Sequence, residues 1–333
     1  MSILVFPAGL PRALDFLTTH PDALGVSSVE NDPARVHYKH WADVPYITEP
    51  DFPEKIAQCI AEYEVSLIYC PHNIAWGLLK DIVKNIDGVE VLEPSPIGVE
   101  QQPYRQALEA ASQLASPLSQ LELAGILKTA WRIEGEMVDS KIAALSKIFP
   151  LLPKGDIVEI GALYGKSAYV MSWLSRRYDI GNILCLDPWD LMARSADDAD
   201  IVASTVSQRD YGLIHQGFIM NISAAGNVNF IRSFAENAVP DYQRGTVISE
   251  LGETSYTGKI SLLHIDGNHD YEFVVRDHEK WAPMVQPGGW IIFDDYEWRF
   301  GDGPKRAGDE YVELINPATT FVDGGALFVQ LPI

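Results

Sequence analysis

Only three cysteines occur in the 333 residues, Cys59, Cys70 and Cys185, and none stands in a Cys-x-x-Cys or Cys/His ligand spacing. That excludes a disulfide framework and a zinc site of the usual spacings, and it is compatible with a reducing compartment. Cys185 sits in an apolar, strand-like run, where a buried inert thiol is expected. Basic residues are also scarce: 25 Lys and Arg face 46 Asp and Glu, for a formal charge of −21. Nucleic acid demands Lys/Arg stripes along its phosphates, and an anionic membrane surface attracts polybasic segments, so neither is expected as a partner. No apolar run approaches the roughly 20 residues that span a bilayer. The N-terminal Met-Ser-Ile-Leu-Val-Phe-Pro-Ala-Gly lacks the charged n-region and the apolar length of a signal peptide. The chain therefore reads as soluble and cytoplasmic, with a small-molecule substrate as its partner and a homo-oligomer left open.

What is present is patterned. The length is large for one core and favours two domains. Residues 1–98 alternate strand and helix signals: strands at Ile3–Phe6, Ala23–Val29, Val65–Tyr69 and Val89–Leu92, and helices at Pro11–Thr19, Pro53–Tyr63 and Ala75–Ile86. In the second helix Ile56, Cys59, Ile60 and Tyr63 make an i, i+3, i+4, i+7 face. His37, His40 and Trp41 fall in an expected loop, and His72 follows a strand; none of these is expected to be a ligand. Residues 99–152 are rich in Ala, Leu, Gln and Glu and read as a helical connector or lid, with helices at Gln101–Ala115 and Leu121–Phe149. Residues 153–333 form the larger domain. Its strands are Ile157–Ile160, Asn182–Leu186, Val228–Ile231, Ile260–Ile265 and Trp290–Phe293, followed by a terminal hairpin at Thr320–Asp323 and Ala326–Gln330. The polar segment between Asp187 and Asn227 is expected to hold helix and loop structure shaping a pocket.

Residues 261–296 are the most informative. Ile260–Ile265 runs into Asp266, and Trp290–Phe293 runs into Asp294 and Asp295. Tyr271–Val285 between them is helical in period, with Gln286-Pro287-Gly288-Gly289 as a stop and turn. A strand–helix–strand unit of this length is a right-handed parallel crossover, and ligands of open α/β sheets bind beyond the carboxyl ends of strands. The carboxylates and His269 therefore converge on one edge. Capping would explain one Asp per strand end but not the adjacent pair, and clustered carboxylates are costly without a positive charge among them.

A second motif, Val158-Glu159-Ile160-Gly161-Ala162-Leu163-Tyr164-Gly165-Lys166-Ser167, joins the first strand of this domain to its first helix. Gly161 permits a tight turn, and Gly165 permits close backbone approach to a ligand at the helix N-terminus. The spacing is neither the dinucleotide Gly-x-Gly-x-x-Gly nor a P-loop, which would need Gly where Ile160 stands. At the following strand ends, Asp187 can accept from both ribose hydroxyls of a nucleoside, Trp189 offers a flat face for adenine, and Ser233 lies near an adenine edge.

These residues resemble the class I S-adenosylmethionine-dependent methyltransferases. The resemblance is to the branch with the macrocin and mycinamicin sugar O-methyltransferases, aminocoumarin sugar methyltransferases and cephalosporin hydroxylase-like proteins. It is carried by Glu159-Ile160-Gly161…Gly165, Leu186-Asp187-Pro188-Trp189, Asp266-Gly267-Asn268-His269-Asp270-Tyr271, Pro287-Gly288-Gly289 and Asp294-Asp295-Tyr296. It covers residues 156–333 and not the first 150. The fold it implies is α/β: a Rossmann-like methyltransferase domain, its mostly parallel sheet closed by an antiparallel hairpin, preceded by a smaller α/β domain and a helical connector. It implies that Glu159, Gly161 and Gly165 line the methionine and ribose end of S-adenosylmethionine, that Asp187 holds the ribose, and that Ser233 contacts the adenine. It implies Mg2+ on Asp266, Asp294 and Asp295, with His269 as base and Asp266 beside it in catalysis, acting on a sugar or other small-molecule hydroxyl. His264, inside a strand, is expected to pack, and Asp277 and His278 to face solvent. A hydroxylase-like relative without methyl transfer, and a non-catalytic binding module, are the alternatives.

Overall fold

The computed structural model describes residues 2–190 and 206–333. The chain divides into two compact units, Met1–Arg105 and Gln106–Ile333. In the first, strands β1 (Ser2–Val5), β2 (Leu24–Ser27), β3 (His40–Asp43), β4 (Val65–Tyr69) and β5 (Glu90–Val91) form one parallel sheet in the order β3-β2-β1-β4-β5. Helices α1 (Pro11–Thr19), α2 (Phe52–Glu62) and α3 (Asn73–Val83) connect them. The α2 face buries Phe52, Ile56 and Ile60 against Leu4, Leu24 and Ile68. One expectation changes here. His40 and Trp41 lie on edge strand β3 rather than in a loop, pairing with Leu24 and Gly25. Gly25 is bare because a Cβ there would come within 2.8 Å of the Tyr38 and Trp41 rings. His72 caps α3, its Nδ1 accepting from Ala75 N at 3.3 Å.

Helix α4 (Pro96–Ser112) leads into the second unit, followed by α5 (Gln120–Ala130) and α6 (Asp139–Ile148). The single helix expected over 121–149 is broken at residues 131–138, where Gly135 has φ of +143° and Trp131 Nε1 donates to Asp139 Oδ1 at 2.8 Å. A seven-stranded sheet follows, built from β6 (Asp156–Ile160), β7 (Ile183–Leu186), β8 (Val228–Ile231), β11 (Ile260–Ile265), β12 (Val285–Phe293), β13 (Thr319–Asp323) and β14 (Ala326–Gln330). Its order is β13-β14-β12-β11-β6-β7-β8, parallel except for β14, which is antiparallel to both neighbours. Between strands lie α7 (Lys166–Tyr178), α8 (Tyr211–Ile222), α9 (Ala235–Gln243), α10 (Tyr271–Trp281) and α11 (Gly303–Ile315). Residues 191–205 of the polar segment lie outside the described residues. An exposed hairpin of β9 (Thr246–Ser249) and β10 (Gly252–Ser255) completes the unit.

The central strands β6, β7 and β11 are buried along their whole length, as parallel strands covered on both faces must be. One face packs Ile157, Cys185, Leu262 and Ile292 against α5, α6 and α7; the other packs Val158, Leu184, Leu263 and Ile291 against α9 and α10. Residues 286–289, expected as a turn, belong to β12. The register shifts between Ile260 and Leu262, a bulge that lets the Pro-Gly-Gly stretch continue the strand. Gly289 fits only as glycine there, since a Cβ would lie 3.0 Å from Ser261 O. Among the described residues no helix is long and apolar enough to cross a membrane.

At the end of β6, Gly161 has φ of +86°, and a Cβ on it would overlap the Asp266 carbonyl. Gly161→Ala is therefore expected to destabilise the fold by about 3 kcal/mol through combined strain and overpacking, read as a shift in the denaturant midpoint.

Candidate active site

Backbone hydrogen bonds carry the sheet ladder one residue past the strands and fix the rim. Asp266 N donates to Ile160 O at 2.8 Å, Asp294 N to Ile265 O at 2.9 Å, and Gly161 N to Leu186 O at 2.8 Å. Asp266 and Asp294 are thus neighbours because β11 and β12 are parallel and in register. Above the rim lies a cleft of about 470 Å³ lined by Asp187, Ser233, Asp266, His269, Asp294 and Asp295, among others. Its size is that of a small-molecule site.

On the β7 side, Asp187 organises the loop after β6. Its Oδ2 accepts from Ala162 N and Leu163 N, both at 3.0 Å, and its Oδ1 accepts from Trp189 N at 2.7 Å. Burial raises its pKa against these three hydrogen bonds. A carboxylate has roughly four acceptor positions, so one remains for a ligand and not the two expected for paired ribose hydroxyls. Trp189 is corrected more strongly. With φ of +44° it turns into the core, is 1% exposed, and donates from Nε1 to Leu163 O at 2.9 Å. Its ring packs on His215, Phe218 and Phe230, so it offers no open face for adenine. Gly165 caps α7 in the left-handed conformation, and a Cβ there would meet Phe218 at 2.9 Å. Its bareness serves helix packing, not approach to a ligand. Ser233 stands at the cleft beyond β8, as expected.

On the β11–β12 side, His264 is the centre of a buried cluster. Pairing directly beside Glu159 in the sheet, it places Nδ1 3.1 Å from Glu159 Oε1 and Nε2 3.2 Å from Asp294 Oδ2. Burial, then the charge of Lys141, pushes its pKa down to about 3, so the ring is neutral. A neutral imidazole has one donor and one acceptor. With Nε2–H directed at Asp294, Nδ1 accepts from a protonated Glu159, whose carboxyl burial pushes up to about 7. Glu159 is fully buried beneath the floor and does not line the methionine end as expected. Cys185 Sγ donates to its Oε2 at 3.4 Å.

Lys141, in the first turn of α6, is 2% exposed and donates to the same Asp294 Oδ2. Asp295 belongs to a separate pair, with Oδ2 2.9 Å from His269 Nε2. Burial pushes Asp295 up, but the hydrogen bond and charge of His269, with Lys141, bring it below the usual carboxylate range. His269 packs on Trp298 at a centroid distance of 4.1 Å, and Gly303 is bare where a Cβ would overlap the His269 carbonyl.

Sequence reasoning missed His264 as a site residue because a histidine in an apolar strand reads as packing; its register opposite Glu159 was the available signal. Lys141 carried no signal, since nothing in a helix pattern says where a lysine ends. Asp277 and His278 are corrected as well. Asp277 is 7% exposed and lines the cleft, and His278 packs on Phe293 and Tyr311. Burial, with Glu236 nearby, raises the Asp277 carboxyl to about 7. A folded-state pKa above the unfolded value means the folded state holds the extra proton, so stability falls as pH rises between about 4 and 7. Asp277→Asn is expected to reduce that fall by about 1–3 kcal/mol, measured by urea unfolding at either end of the window. Glu159 contributes a slope of the same sign that the variant leaves in place.

Residues 158–296 match a family described as a methyltransferase domain. An uncharacterized protein of Acanthamoeba polyphaga mimivirus is 27% identical over 140 residues, 42% of this chain and 51% of that protein. The chain thus spans about half the length of the curated relative it matches. Among solved structures, the O-methyltransferase NovP is similar at 17% identity, covering 60% of this chain and 84% of its own, with a TM-score of 0.42. CalS11, a calicheamicin methyltransferase, is similar at 15% identity, covering 72% and 94%, with a TM-score of 0.41. The family match is confined to residues 158–296, where the chain is similar to a methyltransferase domain.

Proposed function

We propose that the chain methylates a hydroxyl of a small, sugar-like molecule bound in the cleft beside S-adenosylmethionine. The observation that carries this reading is the His269–Asp295 pair standing on the same rim as Asp187 and Ser233. The first offers a base for an acceptor and the second a nucleoside subsite.

The expected metal ligands are Asp266, Asp294 and Asp295. Among the described residues the ligand atoms within 4.8 Å of one another belong instead to His264, Asp266 and Asp294, while Asp295 Oδ2 is on His269. The set does not suit magnesium, which demands oxygen ligands in a near-octahedral array. One of the three is an imidazole, and the Asp294 oxygen already carries the Lys141 ammonium. Proton removal from the acceptor therefore falls to the chain's own groups.

When bound, S-adenosylmethionine supplies a methyl group on a sulfonium that is open to in-line displacement. A hydroxyl attacks poorly while it keeps its proton, so a base must take that proton as the O–C bond forms. Asp295 suits His269 to this role by holding Nε2 and stabilising the imidazolium, which leaves the buried Nδ1 as the atom to take the proton. The proton would go to the His269–Asp295 pair, while Asp187 and Ser233 would hold the nucleoside so that its methyl group could be supplied to the acceptor oxygen. Trp298 and Phe300 at the cleft wall exclude water from the reacting atoms. Holding both partners in line contributes further.

The reading is tested by calorimetry with S-adenosylhomocysteine and by a screen of hydroxylated acceptors that monitors its release. His269→Gln is expected to lower turnover by about 10²–10⁴-fold while S-adenosylhomocysteine binds unchanged. Equal turnover in the variant contradicts the assignment of the base.

A further inference from the structure

Lys141 is the feature that methyl transfer by the pair above leaves unexplained. An ammonium is seldom buried unless paired, yet this one is 2% exposed and reaches the centre of the acidic cluster. It is delivered there by construction. The turn between β13 and β14 closes over its stem: Gly324, with φ of +60°, has no room for a side chain because a Cβ would lie 2.6 Å from Lys141 Cβ and 2.9 Å from its backbone nitrogen. The clamp holds the stem of a residue whose four-carbon chain is otherwise mobile.

The charges around it close into pairs. Asp294 is matched by Lys141, Asp295 by His269, and His264 between Glu159 and Asp294 is neutral. Asp266 faces the cleft from the same cluster, its Oδ2 3.9 Å from His264 Nε2, and burial, opposed by Lys141, raises its carboxyl to about 6. A divalent ion placed among His264, Asp266 and Asp294 would press two positive centres onto a single Asp294 oxygen, in surroundings where charges interact far more strongly than in water. We infer that the Lys141 ammonium is the resident cation of this site: it faces the acceptor oxygen where a metal ion would otherwise stand, and the site takes no divalent metal.

The inference rests on the methyl-transfer reading for the identity of the acceptor, but its geometry is independent of that reading. An ammonium carries three donors, and one is directed at Asp294. A second hydrogen-bonds the acceptor oxygen as its proton leaves for the His269–Asp295 pair. Burial draws the Lys141 pKa down, and the carboxyl groups of Asp266, Asp295 and Glu159 oppose that. Lys141 only hydrogen-bonds in this step and transfers no proton, so the step balances without a co-reactant.

The test is a titration of EDTA-treated, full-length protein with Mn2+, followed by electron paramagnetic resonance. Wild type is expected to bind no Mn2+ at this cluster, and Lys141→Met to gain one equivalent that Asp294→Asn in the same background removes. Wild-type binding of one equivalent, abolished by Asp294→Asn, overturns the inference. So does a folded Lys141→Met protein that binds none, since the ammonium would then not be standing in a cation's place. Should Lys141→Met fail to fold, the wild-type titration alone decides between the two outcomes. Neither result depends on an acceptor or on S-adenosylhomocysteine binding, so failure of the methyl-transfer reading is seen separately.

Discussion

Carboxylates crowded onto a buried rim repel one another and lose the solvation that would compensate, and the rest of this site follows from how that repulsion is met. Parallel pairing of β11 with β12 brings Asp266 and Asp294 side by side, and it does so through backbone hydrogen bonds that no side-chain change can easily undo. The compensation comes from outside the sheet. A helix that precedes the first strand of the unit supplies Lys141, and the chain beyond β11 supplies His269. Removing one partner of such a buried pair costs about 3–5 kcal/mol, even where replacing both together is close to neutral. The cluster is therefore a poor source of net stability and a strong determinant of where charge sits.

The same geometry divides the cleft into two halves with different physics. On the β7 side, the carboxylate of Asp187 is tied mostly to the protein, bracing the loop after β6 through three backbone donors. On the β12 side, Asp294 meets the buried Lys141 side chain and Asp295 meets the His269 imidazole. A nucleoside needs shape and fixed hydrogen bonds, whereas an acceptor losing a proton needs charge that responds.

Much of this was legible in the residues. The strands of the large sheet could be read because fully apolar runs such as Ile260–Ile265 are long, bounded by turns and followed by acids. The convergence of Asp266, His269, Asp294 and Asp295 followed from strand polarity alone. What escaped depends on side-chain direction rather than on pattern. Trp189 follows a strand as a ligand-facing aromatic would, but a left-handed backbone turns it inward. Edge strand β3 and the β9–β10 hairpin escaped because short, exposed strands carry no apolar alternation. Lys141 escaped because it lies more than 120 residues from its partner Asp294, with |i−j| of 153, and only the closed fold brings the two together.

The claim on which the account stands is that one rim holds a nucleoside subsite and an acid–base pair within reach of a single transferred methyl group. A crystal structure of the protein with S-adenosylhomocysteine measures this directly. The account predicts the adenosine between Asp187 and Ser233, with the sulfur turned toward His269 and Asp295. A ligand bound elsewhere, or one whose sulfur faces away from that pair, would contradict it.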